Sequence, residues 1–552
     1  MKSEEEIRKV RLNVIFGVVL LLLSLFIYRI FNIQILEGKS YKEMAEEQHQ
    51  YKINHMSSRG TIYDRNMVPL TNVDDTVLLF VDNKTIHEEN VHDILNFAEE
   101  GADILGTIGG TRYKILKVNN KDRKAMSNIF NNYPAYPFQV YNRYYEKQPA
   151  AHIIGYVNQW DNSGATGLEK SFENLLNISQ PKIYATVDGA NNIIPGLGIY
   201  VEESKKNGWL ITTLDIDLQR QVENILESYD VRGSVVVLDS DNGDILACAN
   251  YPSYDPKRIS EYLKSDNEEF FNRAVQVGYP PGSIFKIIVA AAALESGVAD
   301  EENYFNCIGY EEINGVKIKC SAYEKGGHGE LSLIEAFSRS CNSAFIQLGI
   351  LTGSDEILKM SKKFGLGEKT GIPIEEEYKG NLPEADEVKG AGIGNLSVGQ
   401  GELLITPLQA AKATAIIANK GIDKGVRLVK KIGKPDGGTS EPVIAQYERV
   451  ISRTTAAIVA NMMEETVKSG TANNVGKIYT WNTSGKTGSA QSIYKNKEVV
   501  HGWFTGFLPS ENPHYIITVF VEDGKSGRQS AVPIYKDIAD YLYKQESKTF
   551  SE

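Results

Sequence analysis

Three short motifs stand in order along this chain: Ser283-Ile284-Phe285-Lys286, Ser340-Cys341-Asn342 and Lys486-Thr487-Gly488. Ser-x-x-K alone is expected by chance about twice in a chain of this length at ordinary composition. The ordered triple is far more specific, and its side chains are those of serine acyl transfer. A serine hydroxyl attacks a carbonyl only when a base takes its proton. Lys286, at i+3 from Ser283, shares a helix face with it. Burial near another cation favours a neutral lysine able to act as that base. Ser340 offers a second hydroxyl to pass a proton between Lys286 and a leaving amine, and the Asn342 amide suits a substrate amide carbonyl. Lys486 supplies a fixed positive charge, and Thr487 and Ser489 supply hydroxyls, for a terminal carboxylate. Gly488 lets a substrate backbone approach.

The elements around the motifs fit this chemistry. Pro280-Pro281-Gly282 ends an extended segment, so a helix is expected to begin at Ser283, with the hydroxyl at the positive end of its dipole. Ser340 to Asn342 reads as the junction of two helices. Lys486 to Gly488 precedes a hairpin and is expected on an edge strand. Gly485-Lys486-Thr487 is not a phosphate loop, because Thr480 stands where that motif needs glycine and no helix is expected to follow. Ser234-Val235-Val236-Val237-Leu238-Asp239, the turn Asp241 to Asp244, and Ile245 to Ala249 read as a hairpin. Helices are expected over 284–297, 407–420 and 452–468, another opens near Thr212 to Gln219, and a strand is expected over 516–521. Residues 37–56 and 85–130 read as helical and polar, and 177–208 as a break.

Leu12 to Tyr28 is an uncharged apolar run of seventeen residues, about 25 Å as a helix and near the lower limit for crossing a bilayer. Lys2, Arg8, Lys9 and Arg11 precede it, which places residues 1–11 in the cytoplasm. No small-residue cleavage site follows, so the run is expected to stay as a single-pass anchor over 12–33, with the catalytic domain extracytoplasmic. The net charge of −12 disfavours nucleic acid as a partner. The remaining expected divisions are an N-terminal domain with linker over 34–225, a catalytic domain over 226–545 and a tail over 546–552.

With these motifs in place, the chain resembles a class B (monofunctional) penicillin-binding protein. Arg59-Gly60-Thr61-Ile62-Tyr63-Asp64-Arg65-Asn66 matches the R-G-x-I-x-D-R-N segment of that class. His152 to Tyr156 and Gly167-Leu168-Glu169 match its N-terminal pedestal. Gly399-Gln400-Gly401 with Thr406-Pro407-Leu408-Gln409, and Trp503-Phe504-Thr505-Gly506, resemble its later motifs. The resemblance implies a multidomain α/β protein: a penicillin-binding/serine β-lactamase-like transpeptidase domain, a sheet packed by helices, on an elongated α+β pedestal used for dimerisation. It implies that Ser283 attacks the D-Ala-D-Ala end of one peptidoglycan stem peptide and that a neighbouring stem's amine resolves the acyl-enzyme. The oxyanion would be held by the backbone N–H groups of Ser283 and Ser489, and β-lactams would acylate the same serine. No glycosyltransferase segment follows the Arg59 motif, so a separate glycan polymerase is implied as a partner. Roles in cell shape, cell division or sporulation are all compatible. A β-lactam-responsive receptor or silent scaffold of the wall-synthesis complex is the alternative. A serine β-lactamase is disfavoured, because Glu173-Asn174-Leu175-Leu176-Asn177, the match to its water-placing element, lies before Ser283.

Four cysteines remain. Cys248 reads as a buried residue in a strand. Cys307, Cys320 and Cys341 gather in sequence around the second motif, together with His328. Three readings stand open: buried thiols, a Cys307–Cys320 disulfide, or a Cys₃His metal set. The hypothesis taken forward is a structural Zn²⁺ on Cys320, His328 and Cys341, with Cys307 the fourth ligand, bracing the Ser340–Asn342 loop. Acyl transfer itself is expected to need no cofactor.

Overall fold

The computed structural model describes residues 4–41, 44, 50–53, 59–82, 107–108, 113–118, 135–158, 160–178, 182–186, 199–202, 206–442, 447–476 and 478–549. Helix α1 (Glu4–Phe31) is followed by one π turn over Asn32–Leu36. Across Glu6–Leu36 the chain is long and apolar enough to cross a membrane, and none of it is buried in protein.

The chain forms two compact units that interleave in sequence, instead of dividing once near residue 225. One holds residues 1–58, 76–140 and 179–205; the other holds 59–75, 141–178 and 206–552. In the first, Gln50–Ile53, Lys182–Thr186 and Ile199–Glu202 form a three-stranded sheet. Thr107–Ile108, Tyr113–Val118, Asp74–Asp82 and Ala135–Asn142 form a four-stranded sheet. The helical reading of 37–56 holds at the described residues 38–41 and 44 and fails at Gln50–Ile53, which is a strand. That of 85–130 fails at Thr107–Ile108 and Tyr113–Val118, which are strands, and the rest of that segment lies outside the described residues. The break read over 177–208 also contains two paired strands. Tyr113-Lys114-Ile115-Leu116-Lys117-Val118 pairs along its length with Val77–Asp82, and its aromatic and β-branched residues suit a pleated surface.

The second unit is built on a five-stranded antiparallel sheet: β1 (Gly233–Asp239), β2 (Ile245–Tyr251), β3 (Ser484–Tyr494), β4 (Lys497–Leu508) and β5 (Tyr515–Val521), in the order β2-β1-β5-β4-β3. Strand β3, which carries Lys486-Thr487-Gly488, is an edge, as the sequence implied. Both sheet faces are apolar because both are covered. Helices α2 (Ile216–Ser228) and α7 (Gly527–Thr549) pack one face around Phe504, Val519 and Val521. Helices α3 (Lys286–Ser296), α4 (Asn342–Thr352), α5 (Pro407–Ala418) and α6 (Arg453–Lys468) build the core on the other, around Trp503 and Phe520.

The helix starts follow their capping residues. Asp215 accepts from Asp217 and Leu218 N–H to start α2, and Thr406 with Gln409 forms a reciprocal capping box at α5, with Pro407 at the first helical position. Ile62–Tyr63 of the Arg59 segment pairs in parallel with Trp209–Thr212. Within this segment Arg59 and Asp64 are buried.

Candidate active site

Gly282–Phe285 is a 3₁₀ turn, and the α-helix starts at Lys286 rather than at Ser283. In 3₁₀ geometry residues i and i+3 eclipse, so Ser283 and Lys286 are still stacked as the acyl-transfer reading requires. Gly282 has φ +54°, and a Cβ there would stand 2.6 Å from the Ser489 carbonyl oxygen. Glycine is thus needed both for the backbone turn and for the approach of the nucleophile segment to β3. Gly282 N–H donates to the Gly399 carbonyl (2.8 Å), and Trp503 Nε1 donates to the Pro280 carbonyl (3.0 Å). These bonds fix the segment against both its neighbours.

The Lys286 side chain is fully buried. Its Nζ donates to the Ser340 carbonyl and to Asn342 Oδ1, both at 2.8 Å, with Ser340 Oγ at 3.4 Å. The Phe345 ring lies 5.2 Å away. Burial lowers the amine to about 8 despite the opposing influence of Cys341 and Cys320. A lysine in that range exchanges protons near neutrality, which an exposed lysine does not. Ser340 holds φ +55°, a conformation non-glycine residues seldom adopt; the turn is tied by Ser340 N–H to Phe337 O and Cys341 N–H to Ala336 O. Asn342 Nδ2 donates to the Lys319 carbonyl at 3.3 Å, leaving its second N–H for a ligand.

On β3, Lys486 is also fully buried. Its Nζ donates to the Thr487 carbonyl (3.1 Å) and lies 5.4 Å from the Phe337 ring. Burial first, and then the charge of Lys286, push it well below the ordinary lysine value. Burial and the neighbouring Lys286 thus disfavour the charged form of Lys486 when no anion faces it, and a ligand carboxylate would favour that form. Thr487 Oγ1 shares a 2.6 Å hydrogen bond with Thr471 Oγ1, and Ser489 Oγ accepts from Gly527 N–H (3.3 Å). Thr471 is a site residue that no motif marked. It follows α6, and its own N–H donates to Ser338 O (3.1 Å), linking the second motif to the third.

Cys307, Cys320, His328 and Cys341 also meet. Each offers one ligand atom, and all four atoms lie within 4.8 Å of one another. Cys320 Sγ is 3.8 Å from Cys341 Sγ, and His328 Nδ1 is 3.5 Å from Cys320 Sγ and 3.6 Å from Cys307 Sγ. The edges of a tetrahedron with ordinary zinc bond lengths are about 3.8 Å for S–S and about 3.6 Å for S–N. The residues fit that ion. All four cysteines are free thiols, so the Cys307–Cys320 disulfide is not formed. The loop between Cys320 and His328 turns back through Gly327, where φ is +104° and a Cβ would stand 2.1 Å from Cys307 O. The hydrogen bond from Cys341 favours the thiolate on Cys320 and the protonated form on Cys341. Cys341 is also the N-cap of α4, its sulfur accepting from Ala344 N–H.

The Arg59 motif and Glu169 form one buried network. Arg59 Nε donates to Glu169 Oε2 (2.9 Å) and its Nη2 pairs with Glu173 (2.8 Å), while Arg143 pairs with the other Glu169 oxygen (2.6 Å). The carboxylate of Glu173 is engaged by Arg59, Gly164 N–H and Asn177. These contacts tie Glu173 into the fold.

A nucleophile turn, a buried lysine, a hydroxyl–amide loop and a Lys-Thr-Gly edge strand on an α/β sheet define the penicillin-binding transpeptidases. The family model "Penicillin binding protein transpeptidase domain" matches residues 233–540, and the chain belongs to that family. It is 28% identical to the peptidoglycan D,D-transpeptidase MrdA of Acinetobacter baumannii over 98% of this chain and 88% of that one. Among solved structures it is similar to penicillin binding protein 3 of Mycobacterium tuberculosis complexed with ampicillin (25% identity, TM-score 0.66, 89% of this chain and 96% of that one). It is also similar to a chain from a peptidoglycan synthase complex that coordinates polymerization and crosslinking (26% identity, TM-score 0.72, 96% and 97%). The relatives span both units, and the chain is a class B penicillin-binding protein.

Proposed function

We infer that the protein is a peptidoglycan D,D-transpeptidase acting through a Ser283 acyl-enzyme. The observation that carries this is Lys286, buried and held by both polar residues of the second motif, with its amine lowered to about 8. Ser283 Oγ attacks the carbonyl of the penultimate D-alanine, and Lys286 takes its proton. Ser340, within reach of Lys286, delivers a proton to the departing D-alanine amine. A neighbouring stem's amine then attacks the ester, and the proton path runs in reverse. The N–H groups of Ser283 and Ser489 hold the oxyanion. Lys486, Thr487 and Ser489 hold the terminal carboxylate, and Asn342 the substrate amide.

Helix α1 anchors the chain in the membrane with the catalytic unit outside the cell. A separate glycan polymerase supplies the strands, a reading supported by the similarity to a synthase-complex chain. Cys307, Cys320, His328 and Cys341 hold a structural Zn²⁺, supported by their fit to a tetrahedral set. The ion braces the loop on which Ser340 and Asn342 sit.

The test is labelling of the full chain with a fluorescent β-lactam, following the adduct over hours. A long-lived adduct that Ser283→Ala abolishes is the expected result. Rapid loss of label would favour hydrolysis, and labelling of the variant would overturn the nucleophile.

A further inference from the structure

Behind the third motif stands a cation that the mechanism leaves unused. Helix α7 starts against strand β3: a Cβ on Gly527 would lie 2.5 Å from the Gly488 carbonyl oxygen, and Gly527 N–H donates to Ser489 Oγ (3.3 Å). The next residue is Arg528. Its guanidinium reaches the segment after α6, with Nη1 donating to the Thr471 carbonyl (3.2 Å) and Nη2 to Asn473 Oδ1 (2.7 Å). The Arg528 carbonyl in turn accepts from Asn474 Nδ2 (3.2 Å). Thr471 is the residue whose hydroxyl meets Thr487 Oγ1 at 2.6 Å. A single residue therefore separates the guanidinium from the hydroxyl that is read as holding the donor carboxylate.

The charge of Arg528 is unanswered within the protein. Both oxygens that hold it are neutral, and no carboxylate pairs with it among the described residues. Those bonds occupy two of its five N–H groups and leave three donors, on a residue that is exposed. Its place also carries an electrostatic cost. A cation in the first turn of a helix meets the positive end of the dipole, and the first turn of α7 holds no acid to offset it. Lys525, just before the helix, is a second cation with no ion-pair partner among the described residues. The buried or half-buried arginines are treated differently, since Arg59, Arg232 and Arg273 each meet a carboxylate. A guanidinium oriented by two neutral oxygens and left without a counter-charge is arranged for an anion from outside.

The course of the reaction says which anion. Its second half retraces the first, so the incoming amine takes the place that the departing D-alanine amine vacates. The chain behind that amine then runs over the third motif, where the departing D-alanine had its carboxylate. In D-alanine one carbon separates amine and carboxylate, and the carboxylate falls at Thr487. A stem peptide holds its amine and its C-terminal carboxylate further apart, and beyond Thr487 and Thr471 stands Arg528. We propose that Arg528 is a specificity-determining residue for the second substrate, binding the carboxylate of the stem peptide that supplies the amine. The inference rests on the transpeptidase reading. Arg528 takes part in no bond change: the amine forms the new amide bond, the Ser283 ester C–O bond breaks, and the amine's proton returns through Lys286 to Ser283 Oγ.

The test uses the full chain in detergent, with a fully acetylated peptide ending in D-Ala-D-Ala as donor. The amine is supplied by two acetyl-lysyl-D-alanine peptides with a free side-chain amine, one ending in carboxylate and the other in carboxamide. The ratio of amide-linked product to hydrolysed donor is read against amine concentration, and D-alanine release and β-lactam labelling of Ser283 report acylation. The carboxylate peptide is expected to be used about tenfold more efficiently, the size of one charge-assisted contact. Arg528→Gln is expected to erase that preference by raising the concentration of the carboxylate peptide needed, and Arg528→Glu to reverse it. Arg528→Lys, which keeps the charge without the fork, is expected to retain part of it. Equal loss on both peptides, no preference in the unaltered protein, or slower D-alanine release with the preference intact would each overturn the assignment. Failure of the unaltered protein to be acylated by β-lactam, or to transfer to either amine, would overturn the transpeptidase reading instead, so the two failures are distinguishable.

Discussion

Cys341 Sγ lies 3.8 Å from Cys320 Sγ, and the residues on either side of Cys341 both contact the Lys286 amine. The proposed zinc cluster and the catalytic base are therefore separated by one short loop, and neither can shift without the other. The strained backbone at Ser340 persists because both sides hold it.

Loss of the metal set should reach the chemistry through that loop. His328→Ala is expected to bind less than one zinc per chain by elemental analysis. Its acylation by β-lactam should slow about tenfold or more, since sub-ångström misplacement of catalytic groups is costly. Full activity in metal-free protein would show that the four ligands are only packed thiols and an imidazole.

The pH dependence follows from Lys286. Its base form is neutral, and burial brings it to about 8. Acylation should therefore rise with pH through about 8 and level off above it. Lys286→Ala should cost about 10²–10⁴ in acylation rate, the usual range for a general base. Lys286→Arg should be equally inactive, because guanidinium does not release its proton. A flat profile from pH 6 to 9 would exclude Lys286 as the base.

Thr471 tests the link between the second and third motifs. Removing its hydroxyl in Thr471→Val frees the Thr487 rotor and should lower acylation by D-Ala-D-Ala peptides about fivefold, the equivalent of about 1 kcal/mol for one hydrogen bond. Thr471→Ser should recover most of the loss. Steady-state kinetics on both variants separates this from a folding defect.

The Arg59–Glu169 pair lies far from Ser283 in sequence, and both side chains are fully buried. Glu169→Ala leaves Arg59 and Arg143 short of a partner and should destabilise the protein by about 3–5 kcal/mol, as breaking buried ion pairs does. Denaturant unfolding should show it. A loss below about 1 kcal/mol would mean that Glu173 and the nearby carbonyls suffice.

What the sequence revealed was local. Ser283 and Lys286 are three residues apart, the Thr406–Gln409 capping box spans three, and β3 with its hairpin is contiguous, so spacing and turn chemistry exposed them. The partners that complete the site come from far along the chain. Phe345 and Phe337 cover the two lysines, Thr471 orients Thr487, and Glu169 meets Arg59 across 110 residues. No local period encodes such pairings. The helical reading of 85–130 fails at Tyr113–Val118, a run with aromatic and β-branched residues whose strand partner, Val77–Asp82, lies in a separate stretch of the chain. The burial of Lys486 was equally hidden. It depends on the covering Phe337 ring, and burial together with the charge of Lys286 pushes its pKa down.

The most direct test of the account is to trap the acyl-enzyme. The full chain is mixed with a D-Ala-D-Ala stem peptide, quenched in acid, digested and mapped by mass spectrometry. One ester is expected on the peptide containing Ser283, equal in mass to the donor less its terminal D-alanine, which disappears when an acceptor amine is supplied and reappears as an amide-linked dimer. D-Alanine release with no adduct on Ser283, or an adduct on another residue, would contradict it.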